Sequence, residues 1–88
     1  MLTNADHPVA WAMLMYELSD AHEHLGDLIK KMNREGQIDE DSYRIHLGHV
    51  FAHLNRAWHG RDDERLDTVS DDASRERSQY PIDLLPMG

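Results

Sequence analysis

Cysteine is absent from this chain of 88 residues. That excludes a disulfide framework, a cysteine metal knuckle and a thiol nucleophile. Positive charge is scarce as well. Nine Lys and Arg stand against 17 Asp and Glu, a formal net charge of −8 with histidine neutral. A protein that grips a nucleic-acid backbone needs a basic face, so this balance argues against one. No apolar run approaches the roughly 18–20 residues of a membrane span, so no membrane partner is expected. The first residues lack the charged-then-apolar pattern of a signal peptide, and the expected location is cytoplasmic. Catalytic signatures are missing too: no Gly-x-Ser-x-Gly, no phosphate-cradling glycine loop, no His-Glu-x-x-His. The expectation is a chain that is not an enzyme.

Large apolar residues concentrate in the middle of the chain. Residues 1–7 are a polar lead-in, 8–59 carry nearly all the large apolar side chains, and 60–88 are polar until a short apolar ending. The negative charge is not localised, because residues 1–59 and 60–88 each carry −4. An acidic mimic of nucleic acid would concentrate its carboxylates on one surface, so that reading is weak.

The spacing predicts a first helix from about Pro8 to about Asn33. Pro8 suits the first helical position, where its missing N–H is not needed. Trp11, Leu14, Leu18, Ala21, Leu25, Leu28, Ile29 and Met32 recur at three- and four-residue steps and share one broad face. Glu17, Asp20, His24 and Asp27 fall on the other side and read as a solvated face. Gly36 can end the helix, and Asp39 is a natural N-cap for the next one. Ile38 and Tyr43 match a hydrophobic staple.

The second helix is expected from about Glu40 to His59, with Gly60 as its stop. Tyr43, Leu47, Val50, Phe51, Leu54, Ala57 and Trp58 form its apolar face. The short loop makes the two helices an antiparallel hairpin. Leu14, Leu18, Leu25, Leu47, Phe51 and Leu54 are the expected core, and Trp11 and Trp58 its end. The stripes are too wide for one partner helix to cover. The expected fold is therefore all-α: a two-helix hairpin dimerising into a four-helix bundle, with a flexible acidic tail. Leu66, Val69, Ala73 and Tyr80 make a thin helical stripe in that tail, enough for one or two further turns.

Histidine is the residue in excess, with seven in the chain. Full protonation would bring the net charge to −1. His46, His49 and His53 lie at i, i+3 and i+7 of the second helix. The i, i+4 pair His49 and His53 has the spacing that lets two imidazoles reach one transition ion, zinc or nickel. His22 sits opposite Val50 after hairpin pairing. Its offset from the apolar centre has the opposite sign to those of the helix-two histidines, which places it on the other flank. His7, His24 and His59 lie elsewhere. The di-iron carboxylate pattern fails, because it requires Glu three residues before a histidine.

Two further patterns carry a competing structural explanation. Lys31 to Ser42 partly follows a calcium loop, with Gly36, Ile38 and Asp39 at its sixth, eighth and ninth places. Lys31 and Ser42 stand where that loop needs its anchoring carboxylates, so a capped helical turn accounts for the same residues. Tyr80-Pro81-Ile82-Asp83-Leu84-Leu85-Pro86-Met87 is apolar and proline-punctuated. It can dock as an extended segment, on its own bundle or on a protein partner, with Tyr80, Ile82, Leu84 and Leu85 as anchors. The functional expectation is a small interaction or regulatory helical protein with no cofactor. The alternative is a histidine-based metal- or pH-responsive one using His46, His49 and His53.

Overall fold

The computed structural model describes residues 1–88, the side chain of Asp67 excepted. Two long helices dominate: α1 spans Pro8–Glu35 and α2 spans Glu40–His59. A short 3₁₀ turn, Leu66–Thr68, precedes α3, Asp71–Arg77. The chain is all-α, with no strand among the described residues. No helix is long and apolar enough to cross a membrane among those residues.

Local chemistry accounts for the helix ends. Pro8 occupies the start of α1. Gly36 closes it with φ of 68°, a left-handed conformation, and donates its N–H to the Met32 carbonyl at 2.8 Å. Asp39 then caps α2. Its Oδ1 accepts from the Ser42 N–H at 2.8 Å and its Oδ2 accepts from Ser42 Oγ at 2.9 Å. These two bonds hold the Asp39 carboxyl below its ordinary range. The residues that partly follow a calcium loop thus act as a helix stop and a helix start.

The core differs from the one expected from the largest side chains. Buried positions on α1 are Ala10, Leu14, Ala21 and Leu28, and on α2 they include Val50 and Ala57. Of the expected core, only Leu14 is buried. Leu18, Leu25, Phe51 and Leu54 are each about 40% exposed, and Trp11, Leu47 and Trp58 are half-buried. The reason is steric. Two helices touch along a narrow strip, and alanines in that strip let the axes approach closely. The bulkier side chains are displaced to one side of the seam.

Residues 60–88 fold back over the hairpin. Gly60 ends α2 close to Leu66, whose Cδ1 would lie 2.7 Å from a Cβ at that position. Leu2 is buried and donates its N–H to the Arg61 carbonyl at 2.7 Å, which pins the lead-in to this corner. Arg77 pairs with Asp63 at 2.8 Å. That arginine and the Arg65 N–H hold the Asp63 carboxyl below its ordinary range, the backbone bond more strongly. Asn55 is buried on α2 and donates to the Ser78 carbonyl at 2.8 Å. Beyond α3 the chain crosses α2. Tyr80 meets Phe51 with ring centroids 5.4 Å apart, and Trp58 Nε1 donates to Asp83 Oδ1 at 2.9 Å. The Arg61 guanidinium lies 3.9 Å above the Trp58 ring and also reaches Asp83.

Candidate functional site: a histidine trio on one flank and an open apolar flank on the other

The seam between α1 and α2 has two flanks with different side chains. On the first, Glu17 and His24 of α1 face His49, His53 and Arg56 of α2. Arg56 Nε donates to Glu17 Oε2 at 2.7 Å, and its Nη1 donates to Ser78 Oγ at 2.7 Å. Both partners of the ion pair are more than three-quarters buried. His53 Nδ1 sits beside the same pair, accepting from Arg56 Nη2 at 3.0 Å and lying 3.6 Å from Glu17 Oε1.

Three imidazoles pack together next to this ion pair. Ring centroids are 4.1 Å apart for His24 and His49, 4.9 Å for His49 and His53, and 5.4 Å for His24 and His53. One nitrogen from each ring lies within 4.8 Å of the others. His53 is buried, and its Nε2 has no hydrogen-bond partner. Partial desolvation pushes the His49 imidazole below its ordinary pKa, and the neighbouring His24 and His53 push the same way. The opposing pull comes from the carboxylate of Asp20, one turn before His24. Packing therefore favours a neutral imidazole at His49, the form that binds metals.

The sequence spacing singles out His46, His49 and His53. The structure brings His49 and His53 together and adds His24 from the other helix. His46 is exposed and outside the trio, as is His22. His24 had the appearance of a solvated residue because α1 was oriented by its leucines. The seam runs instead along Ala10, Leu14, Ala21 and Leu28, which turns Glu17 and His24 toward α2. The sign rule that separates His22 from the helix-two histidines places His24 on their side, so the signal was present in the sequence.

The second flank is apolar and open. Trp11, Leu18, Leu25 and Ile29 of α1 share it with Tyr43, Leu47, Phe51, Leu54 and Trp58 of α2. Ile29 is 51% exposed. His22 and the terminal Glu40 lie near these sectors on the helical wheels, and Arg61 stacks on Trp58 at one end. At one end, Met1, Leu14, Leu18, Leu54, Ala57, Trp58, Arg61 and Leu84 line a groove of about 380 Å³. Of the four tail anchors, Tyr80 rests on Phe51 and Leu84 forms part of the wall of this groove. Ile82 and Leu85 are exposed, Ile82 fully. Comparison of the chain with protein-family models, with curated proteins and with solved structures finds no match.

Proposed function

We propose that this chain is a small non-enzymatic interaction protein that works as a homodimer, its open apolar flank closing on a second copy. The observation that supports this most is the alignment of large apolar side chains from both helices on one flank. Burying the remaining surface of each exposed leucine stabilises by about 1 kcal/mol. A stable interface needs about 800 Å² from each partner, the area of a row of side chains along a helix pair. A twofold axis through this flank makes a four-helix bundle, in which each copy supplies the layer the other lacks.

Charge does not prevent a second copy from docking. Two chains at −8 each repel. Most carboxylates lie outside the apolar sectors, however, and salt screens them beyond about 8 Å at physiological strength. Ser78, at the end of α3, bonds to Asn55 and Arg56 on other sides of α2, and the tail beyond it covers only one end of the flank, with Tyr80 on Phe51 and Leu84 beside Leu18 and Leu54.

Sedimentation equilibrium on the full chain tests this reading. At micromolar concentration the mass should be twice the chain's 10.2 kDa. Leu25→Asp and Leu54→Asp should each return it to the single-chain value with helical circular dichroism intact. A native chain that sediments at the single-chain mass throughout would overturn it.

A further inference from the structure

We infer that His24, His49 and His53 form a three-imidazole binding site for a divalent first-row transition ion, for which zinc is the probe. The site goes beyond the proposed dimerisation and lies on the opposite flank. Three features support it independently. The first is convergence from two helices. A tetrahedral zinc ion with Zn–N bonds of about 2.0–2.1 Å holds its nitrogens about 3.3 Å apart. The three rings already offer nitrogens within 4.8 Å of one another, so small side-chain rotations close the remaining gap.

The second feature is an unpaired buried donor atom. The His53 side chain is about nine-tenths buried, and its Nε2 has no partner. Its Nδ1 accepts from Arg56, which leaves Nε2 as the nitrogen His53 has to offer. A buried polar atom without a partner costs stability, and a metal ion would satisfy it.

The third feature is the carboxylate behind the ligand. A metal-bound histidine usually donates its other ring N–H to a carboxylate, which sets the tautomer and raises ligand basicity. Glu17 Oε1 stands 3.6 Å from His53 Nδ1. With Arg56 donating to Nδ1, neutral His53 carries its proton on Nε2. Binding an ion at Nε2 moves that proton to Nδ1, where Glu17 accepts it and Arg56 Nη2 releases its contact. Glu17 is a positioning residue in this scheme. Arg56 stays anchored through Nε to Glu17 and through Nη1 to Ser78.

The ligand set selects the class of ion. Three imidazoles suit zinc, nickel, cobalt and copper, whereas calcium and magnesium require oxygen ligands. His49 is exposed, so the fourth coordination position faces solvent. Three protein ligands and an open position are also the composition of catalytic zinc sites, but the dominant chemistry here is capture of the ion.

The test is calorimetric titration of the full chain with zinc chloride, paired with cobalt absorption spectroscopy. The expected result is one ion per chain, a four-coordinate cobalt spectrum, and no saturable binding of magnesium or calcium. His24→Ala and His49→Ala should each weaken zinc by at least about tenfold, and Glu17→Gln by about tenfold. His22→Ala and His46→Ala should leave it unchanged. His24 and His49 are not buried, so these variants keep the test valid if His53→Ala fails to fold. Repeating the titration in Leu25→Asp separates this site from the dimer, and binding should persist there. Absence of saturable zinc binding, or equal loss in His46→Ala and His49→Ala, would overturn the assignment.

Discussion

The two flanks of the hairpin arise from the same pair of helices, yet they hold their side chains by different means. On the histidine flank, Glu17, Arg56, Ser78 and His53 are tied by directional bonds of 2.7–3.0 Å, and side chains there reach nine-tenths burial. On the apolar flank the tail covers only one end, through Tyr80 and Leu84, and Leu18, Leu25 and Leu54 remain about 40% exposed. One flank is bonded within the chain, while the other keeps large apolar side chains exposed, the surface that the proposed dimer would bury. The difference shows that a wide apolar stripe does not mark where two helices meet. Alanines interleaved with Leu14, Leu28 and Val50 marked the meeting line, and most of the other large apolar residues fell beside it.

Substitutions on the seam and on the two flanks should therefore have different consequences. The largest effect should come from the seam itself. Leu14 is 3% exposed, so Leu14→Ala should cost about 3 kcal/mol by chemical denaturation, whatever the protein concentration. Leu25→Ala, at 40% exposure, should cost less in the isolated chain, and its cost should grow with concentration as the dimer forms. Equal and concentration-independent costs at both positions would erase the distinction between seam and flank.

Next in size is the polar flank. Arg56→Ala leaves Glu17 unpaired at a position more than three-quarters buried and removes the bond to Ser78. A loss of about 2 kcal/mol is expected, with unfolding again followed by denaturant. Removing the Asp39 cap with Asp39→Ala should cost about 1 kcal/mol and shorten α2 at its first turn, visible in amide exchange. The mildest expected change is with pH. The Asp63 carboxyl has a folded pKa below its unfolded one, so its contribution is full above about pH 4 and fades as pH falls through the lowered value. Amide protection in residues 60–77 should fall over that acid range, and Asp63→Asn should reduce the dependence to the part that Asp62 contributes.

Much of the fold was legible in the sequence, for local reasons. Pro8, Gly36, Asp39 and Gly60 act within one turn of themselves, so the helix limits could be read from them. The orientation of the helices was less legible. Leucine positions centre the apolar stripe about one position away from the alanine seam, which is enough to place His24 on the solvated side. The path of residues 60–88 was the least legible. It depends on long-range polar partners, Asn55 with Ser78, Arg77 with Asp63 and Trp58 with Asp83, and periodicity carries no information about these. Within the histidine site, the i, i+4 pair on α2 was apparent from spacing. The third ring required knowledge of which flank of α1 faces it.

The central claim is that one flank is complete within the chain and the other is completed by a second copy. Side-chain NMR of the full chain across a dilution series addresses it directly. Methyl resonances of Leu18, Leu25, Ile29 and Leu54 should shift together on dilution, while the imidazole resonances of His24, His49 and His53 stay in place. Shifts at the histidines instead, or methyl resonances that do not change with concentration, would contradict the account.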